Sequence, residues 1–411
     1  MEGALCAWRS GNCARPVRAP QEEAMLADFA RRSVVAIEPY GWEATSAMIA
    51  ARHRLPADAI LRFDLNTVPS APPSWYAAMT AARDEGGPQE YADPTYDELT
   101  NLLGDYCDVA PEQVLVGAGA DEILAIICQI FLDVGDAVVV TAPTYPVHAL
   151  RPQQLGAIVR VCPLGPGFVP DEAALLAAAQ GAKLLILCTP NNPTGNAFDP
   201  ATVERIIAGS PCPVVLDEAY AEFGDWSALS LLDRYPHLII VRTMSKAFAL
   251  AGMRLGYAVA SAEAIDLLQR LRPTNSISVV TARIAAAGLR DLPAMRANVA
   301  RIAAAREPLA AGLRTAGAHV YPSITNFLLT DWGSPVAAGA VAARLERRGI
   351  VVRNYAQHPL LPGHLRITVR SDEQHAAQHP PTRGGGPRAA GGPPRRCIPP
   401  SSPRLRVRHA A

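Results

Sequence analysis

Only two lysines, Lys183 and Lys246, stand among the 38 basic residues of this 411-residue chain, so arginine carries nearly all of its positive charge. Arginine keeps its proton and cannot form an imine, whereas a lysine amine can be tuned toward neutrality and attack a carbonyl. A lysine retained in so arginine-rich a chain therefore suggests a chemical reason. Lys246 lies in TMSKAFALAGMRLGYA, directly after the apolar run Leu238–Val241. That places its amine at the end of a sheet strand, where α/β proteins bind ligands. Lys183 opens the run Leu184–Leu187 and reads as a solvated strand-edge lysine.

Around Lys246 the sequence offers further groups. Asp217, in PVVLDEAYAEF, also ends an apolar run, with Tyr220 three residues on. A carboxylate there can hold a cationic ring nitrogen; it can equally cap a turn. Asn192, in TPNNPTG after Leu184–Cys188, can donate its amide to a phenolate-like oxygen or serve turn chemistry alone. Gly117–Leu124, GAGADEIL, joins a strand to the apolar helix expected over Glu122–Leu132. Its small residues let backbone N–H groups approach an anion at a helix N-terminus. A dinucleotide fingerprint would need a third glycine where Glu122 stands, so phosphate binding without a dinucleotide is the better reading. Ser245 and Arg254 offer a hydroxyl and a charged fork to the same anion. Tyr145, in APTYPVH, can lay its ring against a flat ligand or simply pack.

These groups need strands to present them. Short β-branched runs at Gln113–Val116, Ala137–Thr141, Leu184–Cys188, Val214–Leu216 and Leu238–Arg242 alternate with helix-like stretches, the pattern of a mostly parallel sheet with crossover helices. Past residue 262 the chain turns Ala/Arg/Leu-rich at helical spacing. It then gives strand-like Asn326–Thr330, a helix around Ala337–Arg348, and strands near Ile350–Arg353 and Leu365–Val369, a smaller α+β unit. The fold class expected is α/β, with a large domain over residues 76–270 preceded by an arm at 26–75 and followed by a small domain at 271–370. Residues 1–25 lack periodicity and read as a disordered lead or a mis-assigned start, with Met25 the candidate true start. The stretch 371–411 is Pro/Gly/Arg-rich, with seven arginines and no acid from Pro380 on. It reads as a disordered basic tail or as the product of a reading-frame shift.

The net charge of zero points away from nucleic acid and from anionic membranes. Without that tail the balance is 31 basic to 38 acidic residues, so any basic patch would rest on the tail. Eight scattered cysteines with no CxxC pair and no metal-ligand spacing suggest a reducing cytosol and no metal. Signal-peptide and membrane-spanning runs are absent. A cytoplasmic protein with small-molecule partners is expected.

The ordered set YADP, GAGADE, PTYP, NNPTG, DEAYAEF, SKAFALAGMRLGYA, VVRNY and LRIT, over roughly residues 60 to 370, resembles the class I/II aminotransferases of pyridoxal-phosphate (PLP) fold type I. It is most similar to their histidinol-phosphate aminotransferase branch. The resemblance implies a large domain with a mostly parallel mixed sheet, a smaller α+β domain and PLP as cofactor. Lys246 would carry PLP as an imine, Asp217 would pair with the ring nitrogen, Asn192 and Tyr220 would contact the ring hydroxyl, and Tyr145 would stack on the ring. Ala120, Asp121, Ser245 and Arg254 would hold the cofactor phosphate. Arg366 would anchor the acidic end of the substrate, and in the histidinol-phosphate branch Arg353 would be a second ligand of the substrate phosphate. Tyr91 would reach the partner subunit's site in a homodimer.

The sequence departs from the family pattern at FDLNT, where Asp64 and Thr67 are unexpected and Asn66 alone matches, and at Arg370, where a small residue is expected. Asn66 is placed with the substrate-binding residues. The activity implied is ping-pong transamination of histidinol phosphate with 2-oxoglutarate, giving imidazole acetol phosphate and L-glutamate in histidine biosynthesis. Within the fold, an aromatic amino-acid aminotransferase and a threonine-phosphate decarboxylase are the alternatives. A non-catalytic PLP-sensing regulator would need a DNA-binding module, for which the residues before FDLNT leave little room.

Overall fold

A computed structural model of the chain describes residues 26–37, 43–68, 71–84, 87 and 89–370. The expected lead at 1–25 and tail at 371–411 lie outside the described residues. Twelve strands occur among the described residues. They are β1 (Leu61–Phe63), β2 (Val114–Gly117), β3 (Ala137–Ala142), β4 (Ile158–Pro163), β5 (Leu184–Cys188), β6 (Val214–Asp217), β7 (Leu238–Thr243), β8 (Gly256–Ala260), β9 (His319–Val320), β10 (Phe327–Asp331), β11 (Ile350–Asn354) and β12 (His364–Thr368).

Seven of them form the large sheet, in the order β2-β8-β7-β6-β5-β3-β4. Strands β3 to β7 run parallel, and β8 runs antiparallel to both neighbours. The apolar runs lack alternation because both faces are covered, and β5, β6, β7 and β8 are buried at every residue. Alternate residues feed two cores. Val139, Leu185, Leu187, Val214, Leu216 and Ile240 pack with helices 97–107, 200–209 and 279–290, whereas Val138, Val140, Leu184, Ile186, Val215 and Ile239 pack with helices 120–131 and 262–269. Each such side chain stabilises the sandwich by roughly 1.5–3 kcal/mol. Cys128 lies buried in the second of these cores as a small hydrophobe, and Cys188 is buried at the end of β5.

The expected strands are present, most with ends displaced by one residue. Strands β4 and β8 lie outside the expected set, β4 although it carries Ile158, Val159 and Val161. Edge strand β4 leaves Ile158 and Val161 exposed, while β8 opens on Gly256, which runs close to another backbone, and buries the large ring of Tyr257. A Cβ added at Gly256 would lie 2.2 Å from the amide nitrogen of Ala120.

The second sheet has the order β1-β11-β12-β10-β9. Strand β1, from the N-terminal side of the large sheet, pairs parallel with β11, and the remaining pairs are antiparallel. Helix 335–346 covers it through Ala338 against Leu365. No helix among the described residues is long and apolar enough to cross a membrane.

Because β3, β5, β6 and β7 are parallel and β2 points the same way as β7, the residues after their C-terminal ends share one edge. Lys183, at the opposite end of β5, is exposed. Gly256→Ala should cost about 1–3 kcal/mol, since only backbone could yield to the new methyl. It would be read as a lower urea midpoint at unchanged m value, and a wild-type midpoint would show that β8 and the helix start can move apart freely.

Candidate active site

One cavity of about 290 Å³ opens at that edge. Ala120, Asp121, Tyr145, Asn192, Asp217, Tyr220, Ser245, Lys246 and Arg254 all line it. Every residue assigned to the cofactor from sequence is thus brought to one place, from the ends of five strands and, for Arg254, the start of β8.

Asp217 is the last residue of β6 and 2% exposed. Its Oδ2 lies 2.8 Å from Nε2 of His148, itself buried, and its Oδ1 accepts the Ala219 N–H at 3.0 Å. His148 Nδ1 faces the Thr144 hydroxyl at 3.4 Å, and that hydroxyl donates to Asn191 at 2.8 Å. The carboxylate is therefore fixed in direction. Sequence reasoning passed over His148, although it sits one helical turn beyond Tyr145 and a buried histidine facing a carboxylate calls for a partner. Thr243, Ala219, Cys188, Ala251, Leu65 and Thr67 also line the cavity; no motif singled them out for it.

Lys246 follows β7 by three residues, its Nζ 5.8 Å from the Tyr220 ring centre. Burial, with the charges of Arg366 and Arg254 nearby, lowers its amine to about 8. That supplies a neutral nucleophile near neutrality. Tyr220 is held protonated by burial, which pushes its phenol up; its Oη accepts the Asn66 amide at 3.0 Å.

The anion end is the N-terminus of helix 120–131, whose first amides have no carbonyl within the helix. Gly119 precedes it at φ 87°, and a Cβ there would meet the Arg254 guanidinium at 2.6 Å. Asp121 accepts from Tyr145 at 3.0 Å and faces Arg254 at 3.4 Å. Its carboxylate would repel a phosphate, so Asp121 can serve one only through its backbone N–H. Tyr145 stands edge-on to His148.

Arg366 and Asn66 are buried behind the cavity wall. Arg366 donates to Asn192 Oδ1 and to the Asp64 carbonyl, both at 2.6 Å, and its Nε is buried without a partner among the described residues. Arg353 stands opposite Arg366 across β11 and β12 and pairs with Glu43. Tyr91 does not line this cavity; it is 83% exposed in a separate groove with Val279 and Arg283. The unexpected Asp64 is held by Arg62 at 2.6 Å, and Arg370 reaches Thr67 at 3.5 Å.

His148, Cys188 and Asp217 offer ligand atoms within 4.8 Å of one another, a juxtaposition their spacing in sequence conceals. Burial holds the Cys188 thiol well above its usual range, and His148 is engaged with Asp217, so this set suits hydrogen bonding rather than a metal. The cavity as a whole fits PLP. It offers a lysine of lowered basicity, a carboxylate for a protonated ring nitrogen, donors at Asn192 and Tyr220 for a ring oxygen, and helix amides with Ser245 and Arg254 for a phosphate.

Comparison with known proteins agrees with this chemistry. The chain belongs to the class I and II aminotransferase family, whose profile matches residues 60–378, and it is a PLP-dependent transaminase. Histidinol-phosphate aminotransferase from Roseiflexus castenholzii is 37% identical over 86% of this chain and 97% of its own length. The crystal structure of histidinol-phosphate aminotransferase from Sinorhizobium meliloti, in complex with pyridoxal-5'-phosphate, shares the fold with a TM-score of 0.77 at 26% identity. It covers 84% of this chain and 94% of that one. A double mutant of Thermus thermophilus aspartate aminotransferase aligns with a TM-score of 0.72 at 26% identity, over 85% and 97% of the two chains.

Covalent capture of PLP by the apoprotein should accelerate as pH rises through about 8 and level off above it, because the neutral amine attacks. Stopped-flow absorbance reads this, and Lys246→Arg should abolish it. A capture rate that first rises only near the ordinary lysine range would mean that the amine is not depressed.

Proposed function

We propose that this enzyme transaminates L-histidinol phosphate, with 2-oxoglutarate as amino acceptor, in histidine biosynthesis. The observation that carries the choice of donor is the pair Arg353 and Arg366, opposite each other on adjacent strands, with Arg366 donating to the cavity residue Asn192. Two guanidinium forks exceed what one carboxylate needs and suit a phosphate. The curated relatives named histidinol-phosphate aminotransferase support the same reading.

When bound, PLP supplies a conjugated cationic ring that accepts the electron pair released at the substrate α-carbon. Asp217, steadied by His148 and the Ala219 N–H, keeps the proton on the ring nitrogen. Asn192 and Tyr220 would orient the ring through its hydroxyl, Tyr145 would border it, and the Ala120 and Asp121 amides with Ser245 and Arg254 would hold the phosphate. Lys246 Nζ would hold the cofactor and, once released from it, would take the proton leaving the substrate α-carbon, a task suited to an amine near 8. Arg366, Arg353 and Asn66 position the substrate. Binding donor and acceptor in turn at one site gives ping-pong kinetics. The exposed Tyr91 suits a cytoplasmic homodimer in which it reaches the partner's site.

Adding L-histidinol phosphate to the PLP-loaded protein should discharge the visible lysine–cofactor band, and Lys246→Ala should abolish turnover. A band indifferent to histidinol phosphate but discharged by an aromatic amino acid would move the assignment to an aromatic aminotransferase; release of carbon dioxide from threonine phosphate would move it to a decarboxylase. Arg353→Met should raise KM for histidinol phosphate roughly 10- to 100-fold, the loss of one charge-assisted contact, with far less effect on an unphosphorylated donor. Co-expressing Tyr91→Ala with Lys246→Ala should restore activity that neither variant has alone, and no recovery would remove Tyr91 from the partner's site.

A further inference from the structure

Helix 292–315 lies outside the cavity, yet Arg306 on it donates to three successive backbone carbonyls. Nη1 reaches Ser323 at 3.0 Å, Nη2 reaches Ile324 at 2.8 Å and Nε reaches Thr325 at 3.0 Å. Three directed bonds from one planar fork define the path of that turn in a way that a point charge cannot.

From the turn two chains of contacts run to the cavity. In the first, Ile324 N–H donates to the Gly195 carbonyl at 2.9 Å, and Gly195 N–H donates to the Asn191 carbonyl at 2.8 Å, closing the turn that carries Asn192. The approach is tight, since a Cβ at Gly195 would lie 2.6 Å from Ser323 Oγ. In the second, Asn326, the next residue along, donates its amide to the Asn66 carbonyl at 2.8 Å, and Asn66 donates to Tyr220 Oη at 3.0 Å. Both chains end at the groups read above as contacts of the ring hydroxyl. Asn66 adopts φ 53°, a left-handed conformation that needs such anchoring to persist.

We infer that Arg306 is a positioning residue that sets Asn192 and Tyr220 against the cofactor ring by fixing the 323–326 turn between the two sheets. The inference rests on the reading of those two residues as ring-oxygen contacts. Donors to the ring oxygen draw charge from it and make the neighbouring lysine–cofactor nitrogen less basic. Loosening the turn therefore raises the pH midpoint of the visible band.

The test uses the full chain loaded with PLP, comparing Arg306→Met, Arg306→Lys and, as a control on the same helix, Arg314→Met, whose guanidinium pairs with exposed Glu307. The readouts are the pH titration of the visible band, the PLP dissociation constant and the melting temperature. Arg306→Met should raise the midpoint by about one unit and weaken PLP binding roughly tenfold, with the lysine variant between it and wild type and the control unmoved. A lower melting temperature with wild-type midpoint and affinity in either Arg306 variant would overturn the inference and leave Arg306 a structural brace. Should the methionine variant not fold, the lysine variant decides on the same criteria. A wild-type protein that forms no band would instead sink the reading of the site, and this inference with it.

Discussion

Asp217 holds a carboxylate almost wholly out of water at the end of β6, and an uncompensated charge in such a place costs several kcal/mol. His148 at 2.8 Å and the Ala219 N–H at 3.0 Å compensate it in this chain. Much of the local structure follows from that need. His148 must be buried beneath Tyr145, Thr144 must face its other nitrogen, and Asn191 must accept from Thr144 while donating to the Pro143 carbonyl and to Thr194. The loop after β3 and the turn after β5 are thereby tied to one carboxylate.

The same problem recurs one residue later and is solved on the other side. Glu218 is buried and accepts from Arg242 at 2.8 Å and 3.0 Å, from Ser227 at 2.7 Å and from the Ala228 N–H at 2.7 Å. Arg242 lies on β7, four residues before Lys246. The two consecutive acids thus face opposite ways, Asp217 toward the cavity and Glu218 toward a sealed network that also holds Glu222. Burial pushes the Glu222 carboxyl up, which lessens the repulsion between two acids sharing one guanidinium.

The seam between the sheets is polar for a related reason. Asn66, Asn326, Thr368 and Arg366 are buried there, and their hydrogen bonds cross from one sheet to groups of the other, at Tyr220 and Asn192. Apolar contacts would join the two units without fixing their register, whereas directed bonds place them to within the tolerance a reacting site needs. The Arg62–Asp64 pair and the reach of Arg370 to Thr67 give the atypical FDLNT segment its own anchors.

The sequence by itself determined the large sheet and the cofactor wall. Runs such as Leu184–Cys188 are apolar at every position because both faces are covered, and the groups read as cofactor contacts, Arg254 before β8 apart, follow a strand end or open a helix, so local pattern was enough to place them. What only the tertiary structure decided are contacts between residues far apart in the chain. His148 meets Asp217 across 69 positions, Asn66 meets Tyr220 across 154, and Arg366 meets Asn192 across 174. Strand β8 escaped notice because Val259 is its one β-branched residue and the closeness of the Ala120 backbone requires a glycine at Gly256, and Arg306 because its partners are carbonyls, which carry no side-chain signature. Local periodicity reports which face of an element is buried; which distant groups then meet depends on how those faces pack.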